Sequence, residues 1–423
     1  MNIELLKQVI IEQSVRTVPT DFVPRTVYQQ VIPLKKNKEI IIVTGLRRCG
    51  KSTLLQKIRS EEKEKDYYLN FEDDRLINFN VSDFQLLVEV FTELFGHQKT
   101  FYFDEIQNIP DWERFVRRLH DDDCKIYITG SNATMLSKEL GTKLTGRYIA
   151  LTMYPYSYYE YVNYYSPELI NKKVYATQDI AMARRLFAQY CRVGGIPEFV
   201  RLEQPDYLHT LYEGVIYRDI ITRYKLPQER PIKELTFYLA SHVGKEITFN
   251  ALRKITHLSS ATTVAEYCDY LENSFLCFLI NRYSHSLKQQ IGYEKKQYFI
   301  DHALAGAIGF RTSEDRGRFL ENIVFIELKR RNKEIYFHKN KKECDFIIKE
   351  KNKVTSVIQV CVHMESEEIK KREYAGLFEA MKLYRLKEGL ILTEDKEYKE
   401  TMLIEGVQHT VQVMTLWKWL LAL

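Results

Sequence analysis

A glycine-rich segment follows directly after a run of four apolar residues, 40–43. The segment is Gly45-Leu46-Arg47-Arg48-Cys49-Gly50-Lys51-Ser52, which has the spacing G-x-x-x-x-G-K-[ST]. An apolar run without polar alternation predicts a strand covered on both faces, and the residues from Thr53 onwards have helical apolar spacing. In such a strand–turn–helix unit, backbone N–H groups wrap a phosphate at the positive end of the helix. We therefore expect a phosphate-binding loop here.

Each residue of this loop has an expected contact with a bound nucleotide. The main chain is expected to line the phosphates at Gly45, Leu46, Arg47, Arg48, Cys49 and Gly50. Lys51 would bring positive charge to the β- and γ-phosphates, Ser52 a hydroxyl ligand for Mg²⁺, and Thr53 a contact with the α-phosphate. The sequence therefore predicts ATP and Mg²⁺ as cofactors.

A second apolar segment, residues 100–103, ends in two adjacent carboxylates, Asp104 and Glu105. Asp104 is expected to hold Mg²⁺, and Glu105 to orient or deprotonate the attacking water. Two acidic residues at this position favour hydrolysis of the nucleotide over binding alone. After the next predicted strand, Ser131 is a candidate for contact with the γ-phosphate, and Asn132 is an equal candidate. A turn that caps a helix explains the same two residues.

An arginine is expected to stabilise the charge that develops during phosphoryl transfer. Arg147 is the leading candidate, acting within its own chain or from a neighbouring subunit, and Arg218 and Arg223 are weaker candidates. Arginines are usually exposed without a catalytic role, and that interpretation stands beside each of the three.

The pattern of elements predicts an α/β architecture in the N-terminal part of the chain. Strand-like and helical segments alternate from residue 39 to about residue 154, which is typical of a doubly wound parallel sheet. The following residues, 166–228, are mostly helical in pattern. The net charge of the 423 residues is only +5, so composition alone does not indicate nucleic-acid binding.

The sequence also carries expectations about location. No segment approaches the roughly 18 consecutive apolar residues of a membrane span, and Glu4 stands where a secretion signal carries positive charge. Seven cysteines lie far apart without a C-x-x-C pair, which argues against a zinc site or a disulfide framework. We therefore expect a cytoplasmic protein without membrane contact.

Two helical patterns, residues 247–256 and 261–273, are joined by a turn and followed by a strand-like alternation at residues 275–283. This arrangement resembles a winged helix-turn-helix. The second helix carries Glu266, Asp269 and Glu272 but no lysine or arginine, and such a helix attracts phosphates poorly. We therefore rank DNA binding through this region below a role as a lid or a protein contact.

The C-terminal part mixes helices and strands. Helices are predicted at 317–331 and 366–384, strands near 334–338, 344–349, 354–362 and 389–392, and a docking helix at 416–423. Glu321, Asp345 and Gln359-Val-Cys361 resemble the arrangement of restriction-endonuclease-like proteins, in which carboxylates and a lysine surround a metal ion. Cys361 stands at the lysine position and Gln359 at an acid position. The resemblance implies an inactive, structural module, whose two carboxylates could bind a metal weakly. Activity would require Lys370 or another lysine to take the missing place.

Together these motifs resemble the AAA-like, STAND-related P-loop ATPases of bacteria and archaea that carry a C-terminal domain of unknown function. The resemblance rests on residues 45–53, 70–75, 103–107 with 111–112, 129–131, 144–147, 154–160, 194–198 and 318–322. It implies an additional-strand core, in which the strand ending near Thr129 lies between those ending near Val43 and Asp104. It also implies that Pro197, in Gly194-Gly-Ile-Pro197, lies near the nucleotide and couples it to domain orientation. A tight turn between helices explains that motif equally well.

The predicted organisation is an ATPase domain at 1–165, a helical lid at 166–230, a winged-helix-like domain at 231–287 and a restriction-endonuclease-like domain at 288–423. The predicted function is hydrolysis of ATP with Mg²⁺ by a nucleotide-dependent switch that acts on a protein partner, with oligomerisation an open possibility. One alternative is an ATP-regulated DNA-binding protein in defence or mobile-element biology. Another is a P-loop kinase for a small acceptor, which the acidic pair and the long C-terminal part disfavour.

Overall fold

The computed structural model describes residues 1–20, 22–132, 144, 146–170, 172, 176–204, 206–310, 316–364, 366–404 and 406–422. The chain divides into two compact units. The first consists of Met1–Pro155 with Asn273–Phe275, and the second of Tyr156–Glu272 with Leu276–Leu423. Among the described residues, every helix is too short or too polar to cross a membrane.

A five-stranded parallel sheet forms the centre of the first unit, in the order β2-β3-β4-β1-β5. Its strands are β1 (Ile40–Thr44), β2 (Tyr68–Asn70), β3 (Thr100–Asp104), β4 (Lys125–Gly130) and β5 (Tyr148–Thr152). β1 is buried along its whole length, as its unbroken apolar run predicts. β4 lies between β1 and β3, which confirms the strand order implied by the resemblance. All five strands therefore present their carboxyl ends at one edge.

Helices flank this sheet. They are α1 (Ile3–Ser14), α2 (Thr26–Leu34), α3 (Lys51–Ser60), α4 (Phe84–Phe95) and α5 (Trp112–Asp121), with 3₁₀ turns at Asp74–Leu76, Val81–Asp83 and Ile106–Asn108. Aromatic side chains fill the core between helices and sheet, for example Phe84 stacked on Phe115 with ring centroids 4.2 Å apart. α3 begins at Lys51, two residues earlier than its apolar spacing predicts, because Gly50 takes a left-handed backbone conformation and turns the loop into the helix.

The second unit begins with helices and ends with a large sheet. Its helices are α6 (Tyr158–Tyr165), α7 (Thr177–Val193), α8 (Pro197–Leu202), α9 (Asp206–Gly214), α10 (Arg230–Ser241), α11 (Phe249–Thr256), α12 (Ala261–Asn273), α13 (Leu287–Gly292), α14 (His302–Ile308), α15 (Arg316–Arg330), α16 (Glu367–Leu383) and α17 (Leu416–Leu421), with a 3₁₀ turn at Pro167–Leu169 and a π-helix at Val215–Thr222. A small antiparallel sheet has the order β6-β8-β7. Its strands are β6 (Glu246–Ile247), β7 (Cys277–Asn281) and β8 (Lys295–Phe299).

The large sheet has the order β13-β14-β12-β11-β10-β9. Its strands are β9 (Glu334–Lys339), β10 (Glu343–Glu350), β11 (Lys353–Val360), β12 (Glu388–Thr393), β13 (Tyr398–Ile404) and β14 (Val407–Thr415). β9, β10 and β11 run antiparallel, whereas β11, β12 and β14 run parallel. The hairpin of β13 and β14 was not predicted from the sequence. α16 packs on this sheet so closely that a Cβ atom on Gly376 would overlap the main-chain carbonyl of Glu343.

The close approach at Gly376 gives a test of the packing. We expect Gly376→Ala to lower the free energy of unfolding by about 2–4 kcal/mol, because helix α16 would have to move off strand β10. Gly214→Ala is the matched control, because a Cβ atom there meets nothing within 4 Å. It should stabilise the protein slightly, by up to about 1 kcal/mol, through helix propensity. Urea unfolding of both variants measures the difference, and equal stabilities would contradict the packing described.

Candidate functional site

The glycine-rich loop after β1 has a main-chain path that only glycine can follow at two positions. Gly45 and Gly50 have φ angles of +146° and +102°. A Cβ atom on Gly45 would also overlap the carbonyl oxygen of Met153, which follows β5. The loop therefore lies directly against the end of β5. Its curved main chain leads into the N-terminus of α3.

Lys51 lies at the first turn of α3 and is almost completely buried. Its Nζ donates to the carbonyl oxygen of Leu46 at 3.1 Å and lies 3.5 Å from Oε1 of Glu105. Burial acts to lower the pKa of Lys51, but Glu105, Cys49 and Asp104 together outweigh it, and the net pKa is raised. Burial acts to raise the pKa of Glu105, but Lys51, Gln107, Arg47 and Ser131 together outweigh it, and the net pKa is lowered. Both groups are therefore charged at neutral pH.

The carboxylate of Asp104, the last residue of β3, is fully buried and receives hydrogen bonds from four side chains. Ser52 donates to Oδ1 at 3.0 Å, and Tyr68 and Asn70 donate to Oδ2 at 3.2 Å each. The hydroxyl of Thr129, on β4, donates to Oδ1. Burial, and then the nearby Glu105, raise the pKa of Asp104 to about 6.

Glu105 follows Asp104 in a left-handed conformation with a φ angle of 54°, which is uncommon for a residue with a side chain. Its backbone N–H donates to the Thr129 hydroxyl at 3.1 Å, and its carboxylate accepts from the Gln107 amide. Ser131, buried just beyond β4, also acts to lower the pKa of Glu105. The turn therefore aims the Glu105 carboxylate at Lys51 while Asp104 faces Ser52.

The structure brings Lys51, Ser52, Asp104, Glu105 and Ser131 together at the carboxyl edge of the sheet. Parallel strands place the residues that follow β1, β3 and β4 at the same edge, although up to 80 positions separate them in the sequence. These five residues are the predicted catalytic and metal-binding groups apart from Arg147. Their chemical roles stay predictions.

Arg147 does not lie at this edge. Its Nε is 3.2 Å from Oδ1 of Asp121, and its carbonyl oxygen accepts from the N–H of Ile40, the first residue of β1. The loop follows the other end of β1, about 13 Å away along a strand of five residues. The interpretation in which Arg147 stabilises charge at the loop of its own chain therefore disagrees with the structure. A contribution from a neighbouring subunit stays a prediction.

Pro197 belongs to the second unit, where it begins α8. The preceding glycines are packed tightly, because the N–H of Gly195 donates to Oδ2 of Asp301 at 2.7 Å and its carbonyl oxygen accepts from Tyr156 at 2.7 Å. Cβ atoms on Gly194 and Gly195 would overlap Asp301 and Tyr156. A tight turn between helices is therefore present, and the contact of Pro197 with a nucleotide stays a prediction. Arg218 and Arg223 also belong to this unit.

Sequence reasoning missed several residues of the site. Tyr68, Asn70 and Thr129 were not assigned a role, although Asn70 and Thr129 lie within motifs that carried the resemblance. Arg25 was missed as well. It is buried and donates to the carbonyl oxygens of Cys49 at 2.8 Å and Tyr154 at 2.5 Å, so it holds the glycine-rich loop against the segment after β5. Its distance in sequence from the loop gave no signal of this contact.

Comparison with known proteins agrees with this geometry. Residues 37–162 match the AAA domain family, and residues 184–315 match a domain of unknown function, DUF8612. With its parallel sheet and phosphate loop, the first unit has the fold of an AAA-type P-loop NTPase. The chain is 31% identical to the uncharacterised protein MJ1544 of Methanocaldococcus jannaschii, over 98% of this chain and 95% of that protein. It is also 31% identical to an uncharacterised protein of Haemophilus influenzae, over 90% and 94% of the two chains. The chain belongs to the family of these proteins.

A comparison with solved structures matches the Orc1 protein of Aeropyrum pernix in complex with DNA. The two chains are 12% identical with a TM-score of 0.31, and the match covers 71% of this chain and 95% of that one. The RuvB Holliday junction branch migration motor of Thermotoga maritima is 15% identical with a TM-score of 0.29, over 68% and 99% of the chains.

The hydroxyl of Thr129 joins Asp104 to the backbone of Glu105, and its removal tests this arrangement. We expect Thr129→Val to lower the free energy of unfolding by about 1–3 kcal/mol, because the N–H of Glu105 loses its acceptor inside the protein. Thr129→Ser keeps the hydroxyl and should cost only about 1 kcal/mol for the lost methyl group. Chemical unfolding of the two variants distinguishes them, and equal losses would show that the hydroxyl contributes little.

Proposed function

We propose that this protein hydrolyses ATP with Mg²⁺ and uses the nucleotide as a conformational switch that acts on a protein partner. The observation that carries the proposal is the convergence of Lys51, Ser52, Asp104 and Glu105 at one edge of the parallel sheet. A buried lysine, a hydroxyl beside a carboxylate and a second, ionised carboxylate supply the groups that phosphoryl transfer to water requires. The AAA domain match over the same residues supports this proposal.

The donor set around Asp104 suits a hard divalent cation. Ser52 Oγ and Asp104 Oδ1 are 3.0 Å apart, so both oxygens can face one ion. When bound there, Mg²⁺ would neutralise charge on the phosphate oxygens. Ser52 is exposed, whereas the other donors to Asp104 lie on β2 and β4 and hold the carboxylate from behind. Asp104 is thus kept in one orientation, with Oδ1 facing the Ser52 hydroxyl at the start of α3.

The contact between Lys51 and Glu105 sets the order of events in the proposed reaction. At 3.5 Å the two charges neutralise each other within the protein. A γ-phosphate entering the loop would compete with Glu105 for Lys51, and the carboxylate would then be released to accept a proton from water. Because the pKa of Glu105 is lowered, the carboxylate is ionised at neutral pH and ready to orient that water.

The remaining roles extend this proposal. Ser131 is proposed to contact the γ-phosphate, and Arg147 to act from a neighbouring subunit in an oligomer. Pro197 is proposed to couple the nucleotide state to domain orientation. The proposed domains are an ATPase domain at 1–165, a helical lid at 166–230, a winged-helix-like domain at 231–287 and a restriction-endonuclease-like domain at 288–423. The order α10-β6-α11-α12-β7 supports the third, and α15-β9-β10-β11-α16-β12 the fourth.

Two substitutions test the ATPase proposal. Lys51→Ala should lose measurable ATP binding, because the phosphates lose their buried cation. Glu105→Gln should still bind ATP but hydrolyse it at least about 100-fold more slowly, because the amide cannot take a proton from water. Nucleotide binding by calorimetry and phosphate release are the measurements. Hydrolysis at the parental rate by Glu105→Gln would contradict the assigned base, and Gly214→Ala serves as a folded control with parental activity.

DNA binding is the alternative function, and it predicts a strong dependence on salt. Duplex DNA would bind in low salt and dissociate as the salt concentration rises, since phosphate contacts release counterions. The acidic residues of α12, Glu266, Asp269 and Glu272, argue against that helix as the contact surface. Fluorescence anisotropy of a labelled duplex, with and without ATP and at several salt concentrations, measures DNA binding. Lack of binding at low salt would eliminate this alternative.

A further inference from the structure

A buried lysine lies among three carboxylates in the second unit. Lys296, on β8, is 2% exposed, and its Nζ is 2.6 Å from Glu343, 2.9 Å from Glu321 and 3.4 Å from Asp345. Tyr298, two residues further along the same face of β8, donates its hydroxyl to Glu321. The carboxylates come from α15 and β10, so one ammonium group joins three elements of the fold.

The position of Lys296 contradicts the prediction that the cluster lacks a lysine unless Lys370 takes the missing place. Lys370 does not take the place left by Cys361, because its Nζ pairs with Glu400 at 2.9 Å. Lys296 reaches Glu321 and Asp345 instead, from a strand that precedes both residues in the sequence. The cluster therefore does contain a lysine, and its ammonium lies between the carboxylates.

The charges around Lys296 favour a resident ammonium. Burial acts to lower the pKa of Lys296, but Glu321 and the other acidic neighbours raise it well above its usual value, so the group is charged. Glu343 is partly exposed, so water screens its charge. The buried ammonium of Lys296 is therefore the positive partner that the three carboxylates share.

The other polar groups of the cluster are occupied by the protein itself. Oδ2 of Asp345 accepts from the N–H of Val360 at 2.9 Å. The side-chain oxygen of Gln359 accepts from the N–H of Asp345 at 3.3 Å, and its amide donates to Glu373 at 2.8 Å. A divalent cation needs oxygen ligands at about 2.0–2.6 Å from its centre, and the space between these carboxylates is filled by Nζ. With Nζ between them, these carboxylates do not form a group of three that could hold a metal, and no other acidic, histidine or cysteine side chains of the described residues form one.

We propose that Lys296 is the built-in cation of this cluster: its ammonium occupies the position at which Glu321, Glu343 and Asp345 would hold a divalent cation, and it excludes that cation. The site is therefore a latent metal site, closed by a side chain of the same chain. This inference does not rest on ATP hydrolysis, because none of these residues takes part in the proposed ATPase reaction.

Removal of the lysine should open the site. Lys296→Ala should melt at a lower temperature than the parental protein, because three carboxylates are left without their cation. Added Mn²⁺ should restore several degrees of that loss, because metal binding to the folded state stabilises it. The parental protein and the charge-preserving control Lys296→Arg should show no such shift. All measurements are made without nucleotide, so that the Mg²⁺ site proposed at Ser52 and Asp104 contributes equally to each protein.

A second substitution locates the metal. In Lys296→Ala/Asp345→Asn the restoration by Mn²⁺ should disappear, because the cluster has lost a charged ligand. If Lys296→Ala binds Mn²⁺ no better than the parental protein, as measured by electron paramagnetic resonance of free Mn²⁺, the proposal is wrong.

The parental protein gives a decisive measurement even if Lys296→Ala does not fold. Mn²⁺ binding to the parental protein that Asp345→Asn abolishes would show that the ammonium moves aside and would overturn the proposal. Cleavage of plasmid DNA by the parental protein with Mg²⁺, lost in Asp345→Asn, would overturn it in the same way. Absence of both supports Lys296 as the resident cation.

Discussion

The burial of Asp104 is the constraint on which the nucleotide site depends. A carboxylate without solvent has to be satisfied by the protein, and four donors from β2, α3 and β4 converge on it. This convergence requires β4 to lie between β1 and β3 and all three strands to end at one edge. Strand order, loop position and the orientation of Glu105 are therefore parts of one arrangement.

The parts of this arrangement that lie close together in sequence could be predicted. The loop and the acidic pair are contiguous motifs, and the alternation of strand-like and helical segments predicted the parallel sheet that carries them. Arg25 could not be predicted, because it reaches the loop from 24 positions upstream. Arg147 was a candidate for charge stabilisation within its own chain or from a neighbouring subunit, but the pairing of β5 with β1 places it at the opposite end of the sheet from its own loop.

In the second unit, too, elements with clear periodicity could be predicted from the sequence, whereas contacts between distant residues could not. Its central elements were predicted to within a few residues, since they are buried and have clear periodicity. The hairpin of β13 and β14 was missed because β13 is an edge strand with exposed residues such as Leu403 and polar residues in between, and no apolar run marks it. Lys296 was missed because its partners lie on other elements, and a single lysine in a strand gives no signal.

The two glycines before α8 have a mechanical consequence. The end of α7 is hydrogen-bonded through Gly195 to Asp301, and the carbonyl oxygen of Tyr190 contacts the ring of His302, so α7 and the start of α14 are linked twice. Neither glycine has room for a side chain, so the joint has little slack. These two contacts and the tight packing couple the orientation of α14 to that of α7. We therefore expect the two helices to move together.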